Sequence, residues 1–319
     1  MRAVGFYETG GPEVLQVVDL PEPRAGEGEI LVRVHAATVN PADTLMRSGH
    51  TPLAGVDSPY LPGMEAAGVV ERIGPGTTTG LAVGDHVLAM VMPVRPAGGA
   101  YAEYVSVPAE WVIAAPAGAS HAEAATLPMN GLTALLIIDR LALAPGRTIA
   151  VTGAAGGLGG YVVALAKNAG LRVIADAAPK DSDLVRSLGA DVVVARGDDV
   201  AARVRDAAPG GVDAVVDTAL LGVTRLAAAV RDGGQFAMVR TDDEVGTEAW
   251  TDPGRGITRV LAWVPDYLGD QSKLETLRKL AESGALRLRV GRTFPAEQAA
   301  EAHRTLEAGG TRGRVVLEF

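Results

Sequence analysis

The sharpest chemistry-bearing pattern in the chain is Thr148-Ile149-Ala150-Val151-Thr152-Gly153-Ala154-Ala155-Gly156-Gly157-Leu158-Gly159. A short apolar run passes into small residues, then at once into apolar positions at helical spacing, Leu158, Val162, Leu165 and Ala169. Small residues let backbone amides approach an anion closely, and a helix N-terminus adds the positive end of its dipole, which together suit a pyrophosphate. The spacing is A-x-G-x-x-G, with Ala154 where the usual fingerprint has its first glycine and Gly159 where close helix–strand packing is required. An ordinary tight turn is the alternative for such a segment alone. The strand before it, the helix after it and the completed strand–helix–strand unit favour dinucleotide binding. Gly153, Ala154, Ala155, Gly156, Gly157 and Leu158 are therefore the expected cofactor contacts.

Adenosine recognition should follow at the end of the next strand. A carboxylate there accepts from a ribose 2′-hydroxyl, whereas a basic residue accommodates a 2′-phosphate. Asp176 stands at that place and Lys180 follows it, so the two point to different cofactors. Each also has a plain reading as a solvated charge. The chain has no cysteine, which excludes disulfides, thiolate zinc sites, iron–sulfur clusters and a cysteine nucleophile. His35, His86, His121 and His303 show no metal-ligand spacing.

The elements that must position these groups fall into two kinds. The first hundred or so residues read as β-rich: Gly28 to Val34 is a strand, and Gly10-Gly11-Pro12, Pro21-Glu22-Pro23, Gly74-Pro75-Gly76 and Ala97-Gly98-Gly99 are closely spaced turns. Beyond Pro116, strands expected at Thr148–Thr152, Arg172–Asp176, Val192–Val194, Val212–Asp217, Gln235–Val239 and Ile257–Val264 alternate with helical patterns over the first five. That alternation predicts a parallel doubly wound sheet covered on both faces. Pro295 to Glu307 reads as helix and Gly313 to Phe319 as a last strand. The fold class is α/β, a β-barrel domain with a Rossmann sheet. A length of 319 residues suits two domains, and aromatics at 4% leave the cores to Ala, Val, Leu and Gly. A net charge of −9 argues against nucleic acid and anionic membranes as partners. Met1 to Tyr7 reads as strand with no charged segment leading into a long apolar stretch, so a cytoplasmic location is expected.

Several ordered blocks carry a resemblance. Val34-His35-Ala36-Ala37-Thr38-Val39-Asn40-Pro41-Ala42-Asp43 with Arg47-Ser48-Gly49, Leu61 to Val70, Gly84-Asp85-His86-Val87, Ala124 to Ala134, the glycine-rich turn and Leu188-Gly189-Ala190-Asp191 occur at matching intervals. Together they resemble, essentially end to end, the zinc-free quinone oxidoreductase (zeta-crystallin-like) branch of the medium-chain dehydrogenase/reductase superfamily. The resemblance implies a GroES-like twisted β-barrel catalytic domain over 1–116 and 290–319, and an inserted Rossmann domain over 117–289. It further implies NADPH, with NADH left open by Asp176; a quinone or enone as substrate; and a homodimer through 257–264. Where zinc-dependent relatives carry His before Glu this chain has Met64 before Glu65, and with no cysteine a catalytic zinc is not expected.

Without zinc, hydrogen-bond donors must polarise the substrate carbonyl. Asn40, in the first block, is the first candidate; a turn residue before Pro41 is its plain reading. Glu65, in an apolar stretch, suits either the site or a structural pair, and Asp43 is read as support for Arg47 or a helix N-terminus. His50, in a loop after Arg47-Ser48-Gly49, is a candidate proton donor, with Tyr60 behind it; Trp263, near the expected dimer strand, reads as packing. Thr126, Asn130 and Thr133 resemble residues beside the nicotinamide, and Thr218 and Val239 complete the expected cofactor set. Three alternatives stay open. A short-chain dehydrogenase is opposed by the mid-chain position of the turn and by Leu165 four residues after Tyr161. An enoyl-thioester reductase would share fold and chemistry. A non-catalytic cofactor-binding sensor or structural protein would differ only in lacking turnover.

Overall fold

The computed structural model describes residues 1–53, 55–239, 250 and 253–319. They divide into two compact units. The first comprises Met1–Met129, Tyr267–Glu282 and Leu288–Phe319; the second comprises Asn130–Asp266 and Ser283–Arg287.

In the first unit, β1 (Arg2–Gly5) pairs antiparallel with β2 (Gln16–Asp19). The long strand β3 (Glu29–Val39) organises the rest. One edge of β3 is shared by two partners: β6 (Tyr104–Pro108) covers Glu29–Arg33, and β15 (Arg314–Glu318) covers Ala36–Val39. Its other edge carries β4 (Glu65–Ile73), followed by β5 (His86–Met90) and β7 (Val112–Ala114); β14 (Val290–Pro295) lies outside β15. Side chains from these strands, with Phe6, Tyr101 and Phe294, form one core. It is mostly aliphatic, as the scarcity of aromatics requires.

Helix α1 (Pro41–Arg47) starts where β3 ends, with proline at its first position and Asn40 at its N-cap. Helix α2 (His121–Ala125) is capped reciprocally by Ser120 and Glu123. Its first residue, His121, stacks between His35 on β3 and His86 on β5, with ring centroids 4.6 and 4.7 Å away. Burial, then the neighbouring imidazoles, lower His121 to about 4; burial, Arg33 and His86 also lower His35. The fold thus prefers these rings neutral, and their contribution is present above pH 6.5 and lost as pH falls toward 4. His121→Gln should therefore flatten the fall in melting temperature between pH 7 and 4, as followed by calorimetry.

Among the described residues, the second unit holds six parallel strands, β8 (Thr148–Thr152), β9 (Arg172–Ala177), β10 (Val192–Ala195), β11 (Val212–Asp217), β12 (Val230–Met238) and β13 (Thr258–Leu261). Their order in the sheet is β10-β9-β8-β11-β12-β13. β11 is buried at every position, as a central strand covered on both faces must be. Helices α3 (Pro128–Leu141), α4 (Gly157–Asn168), α5 (Ser182–Ser187), α6 (Val200–Ala207) and α7 (Val223–Leu226) account for the helical patterns. The strand expected over 257–264 is shorter, because the chain turns into a 3₁₀ segment at Val264–Tyr267. Trp263, just past β13, is half exposed. The helix expected from Pro295 begins only at Ala299, since Val290–Pro295 pairs with β15 and a 3₁₀ turn intervenes.

Candidate active site

Sheet register assembles the first cluster. β4 runs antiparallel to β3 with Ala66 opposite Ala37, which sets Glu65 across from Thr38. β15 runs antiparallel on the other edge with Val315 opposite Val39, which sets Arg314 across from Asn40. These four side chains converge, and all are at least 95% buried. One terminal nitrogen of Arg314 donates to Thr38 Oγ1 (2.6 Å), Asn40 Oδ1 (2.7 Å) and Glu65 Oε1 (2.6 Å). Asn40 Nδ2 donates to Thr38 Oγ1 (3.3 Å) and Glu65 Oε1 (3.2 Å), and the Thr38 hydroxyl donates to Glu65 Oε1. Glu65 Oε2 accepts the backbone N–H of Met129 at 2.6 Å. Charge balance explains the cluster, since a carboxylate this deep needs a cation and several donors. The other terminal nitrogen of Arg314 is buried and has no hydrogen-bond partner among the described residues.

Asn40 and Glu65 thus meet, and the structure adds Thr38 and Arg314, neither of which spacing along the chain could have indicated. His50 is elsewhere: it is exposed, its Nδ1 lies 2.8 Å from Ser48 Oγ, and its backbone N–H donates to Leu45. Tyr60 packs against Phe6 with ring centroids 5.4 Å apart. Asp43 does cap α1, through the backbone N–H of Asn40. It does not meet Arg47, which pairs with Glu307. Thr126 ends α2 and donates to the Glu123 carbonyl at 2.7 Å; Asn130 and Thr133 lie on the first turns of α3.

The second cluster surrounds the glycine-rich turn. β8 enters it at Thr152, Gly153 takes φ +67°, and α4 starts at Gly157 with Gly156 at its N-cap and no side chain capping it. A Cβ on Gly159 would lie 2.3 Å from the Gly153 carbonyl oxygen, so α4 packs on the turn at a distance only glycine permits. Thr218, after β11, donates to the Thr152 carbonyl at 2.6 Å, and Thr152 donates to Asp217 at 2.6 Å. Small residues, a left-handed glycine and a helix N-terminus with no side-chain cap fit a pyrophosphate.

Asp176 is nearly buried and turns inward, accepting the Gly153 N–H at 2.7 Å. Burial raises its carboxyl, against the lowering by the Gly153 and Ala154 amides and by Arg196. It therefore braces the turn. At the rim, Lys180 and Arg196 are exposed, and Arg196 joins the end of β9 through its N–H to the Ala177 carbonyl (3.0 Å). Arg196 went unrecognised in the sequence because it follows the third strand, not the second. Val239 lies one residue beyond β12 and is half-buried.

Residues 26–117 match the alcohol dehydrogenase GroES-like domain, and residues 188–317 match the family described as zinc-binding dehydrogenase. Among curated relatives, the chloroplastic NADPH-dependent alkenal/one oxidoreductase of Arabidopsis thaliana is 31% identical over 326 residues, covering 99% of this chain and 79% of that protein. The chloroplastic quinone-oxidoreductase QR1 of Triphysaria versicolor is 35% identical over 202 residues, 61% of this chain and 60% of that protein. A mycobacterial protein solved in complex with NADPH superposes over 100% of both chains with a TM-score of 0.88 and 32% identity. This chain belongs to the quinone oxidoreductase branch of the medium-chain dehydrogenase/reductase superfamily. For a member of that branch, the barrel cluster and the glycine cradle are the two places where function is to be sought.

Proposed function

We propose that this chain is a zinc-independent, NADPH-dependent reductase of quinones or α,β-unsaturated carbonyls. The observation that carries the reading is the glycine cradle at Gly153–Gly159, whose geometry suits a dinucleotide, in a chain that matches over its length an NADPH-dependent oxidoreductase and a protein solved with NADPH. NADPH, when bound, supplies the hydride. The backbone amides of the turn and the N-terminus of α4 hold its pyrophosphate, and Asp176 keeps the turn in shape from beneath. Zinc does not fit the donor set: Met64 stands where zinc-dependent relatives carry His, and there is no thiolate.

The chain's own part is to polarise the acceptor oxygen. Thr38 Oγ1 and Glu65 Oε1 touch one another, so a single N–H of Asn40 serves both and the amide keeps a second hydrogen for the substrate. The buried, unpartnered nitrogen of Arg314 is a further donor for an anionic oxygen. Thr126, Asn130 and Thr133 are assigned to the nicotinamide side, and Thr218 and Val239 to the rim of the cradle. β13 is the outermost strand of its sheet among the described residues, which suits pairing with a second copy.

Steady-state oxidation of NADPH and NADH, with a simple quinone and a simple enone, tests the reading. Turnover without added metal and unaffected by a chelator is expected; no turnover despite tight NADPH binding would overturn it. Because Asp176 is occupied by the turn, NADPH preference falls to Lys180 and Arg196. Arg196→Ala should raise the KM for NADPH about tenfold, the loss of one charge-assisted phosphate contact, and leave the KM for NADH unchanged.

A further inference from the structure

Behind the barrel cluster lies a second line of buried polar groups that the chemistry above does not use. Asp43 is fully buried at the third position of α1. Its Oδ2 accepts the backbone N–H of Asn40 at 2.7 Å and its Oδ1 accepts that of Gly63 at 2.8 Å. Asn40 follows β3 and Gly63 precedes β4 by two residues, so one carboxylate ties the two strand ends where their ladder stops. The Tyr101 hydroxyl lies 3.5 Å from Asp43 Oδ2 and 3.1 Å from His303 Nε2. His303 Nδ1 lies 3.4 Å from Arg47 Nη1, and Arg47 donates to the Gly10 carbonyl (3.1 Å) and to Glu307 (2.7 Å). His303 is fully buried on the helix Ala299–Ala308.

Donor and acceptor chemistry fixes the sense of every link. A guanidinium only donates, so His303 Nδ1 accepts and the imidazole carries its hydrogen on Nε2. Nε2–H then points at the Tyr101 oxygen, which leaves the phenol hydrogen for Asp43. We propose that Arg47, His303 and Tyr101 form a one-way hydrogen-bond chain that holds Asp43 as a carboxylate, and that Asp43 thereby positions Asn40 and Glu65. This rests on the reductase reading for its effect on turnover, and makes these four positioning residues.

The other charges facing Asp43 are Glu65, which opposes its ionisation, and Arg314, which favours it. Burial dominates and brings its carboxyl up to about 7, so its charge changes near neutral pH. His303 is pushed down to about 3 by burial and by Arg47, which keeps the imidazole neutral and the chain directed. Once protonated, one oxygen of Asp43 becomes a donor facing donors, and the hold on Asn40 or Gly63 is lost.

Two readouts on the full-length protein test this: carboxyl ¹³C titration with labelled aspartate, the Asp43 signal being the one absent in Asp43→Asn, and the pH profile of kcat/KM with NADPH. In Tyr101→Phe and His303→Leu the Asp43 titration and the acid limb of kcat/KM should both move up by about one pH unit, the loss of one hydrogen bond to the charged form. His303→Gln, whose amide accepts on one side and donates on the other, should keep the wild-type titration. An Asp43 titration unmoved in Tyr101→Phe and His303→Leu would overturn the chain. A titration that moves while the acid limb does not would overturn the positioning role. If the wild type reduces no acceptor, the reductase reading fails, while the titration still decides the chain.

Discussion

Arg314→Ala is expected to destabilise the protein by about 3–5 kcal/mol at neutral pH, the range for removing one partner of a buried ion pair. Glu65 has no solvent exposure, and Arg314 supplies its cation at 2.6 Å. Without that cation the carboxylate keeps the Met129 N–H, the Thr38 hydroxyl and the Asn40 amide, which are donors without net charge. Urea unfolding of the variant and the wild type at neutral pH measures this. Arg314→Lys should fall between, because one ammonium cannot reproduce the spread of a guanidinium over Thr38, Asn40 and Glu65. Glu65→Gln in the Arg314→Ala background should restore part of the stability by removing the stranded charge. Strictly additive effects would show that the pair is not coupled. Turnover should fall in Arg314→Ala beyond what stability explains, since Asn40 Oδ1 loses its donor and only the bonds of its Nδ2 to Thr38 and Glu65 still orient the amide.

The legible and illegible parts of this molecule separate on physical grounds. Val212–Asp217 was readable to the residue, because a central parallel strand is apolar on both faces and bounded by polar turns. The first half of β12 was not: the expected strand starts at Gln235, yet the observed one begins at Val230 and runs through Asp232-Gly233-Gly234, with an irregular register against β11. The glycine cradle was legible because its requirements are local: a strand, small residues and a helix in immediate succession. The barrel cluster was only half legible. Asn40 and Glu65 stand out by type in their segments, but Arg314 lies 249 residues beyond Glu65 and meets it only through the register of three strands. The line from Asp43 to Arg47 was hidden for the same reason, since His303 reaches Tyr101 across 202 residues. Asp176 shows a third case, in which position was readable and direction was not. A strand-end carboxylate can face a ribose or the turn beside it, and the Gly153 amide decides for the turn.

Gly159→Ala is expected to weaken NADPH binding at least tenfold, a free-energy change of roughly 1.4 kcal/mol or more. The added methyl would sit 2.3 Å from the Gly153 carbonyl oxygen, 2.7 Å from its carbon and 2.9 Å from Ala154 Cα, all backbone atoms. No side-chain rotation relieves such contacts, so either α4 moves off β8 or the turn shifts outward. A shift of either kind displaces the amides of Gly153–Gly157 relative to one another, and a pyrophosphate depends on their convergence. Gly156→Ala should have a weaker effect, since its methyl would meet only the Gly153 oxygen at 3.1 Å. Gly210→Ala, with nothing within 4 Å of the added atom, should leave NADPH affinity unchanged. Titration of nicotinamide fluorescence measures all three, and thermal melting of the cofactor-free proteins separates a displaced turn from an unfolded one. Equal affinities in Gly159→Ala and Gly210→Ala, both folded, would mean that the cradle is not where the dinucleotide binds.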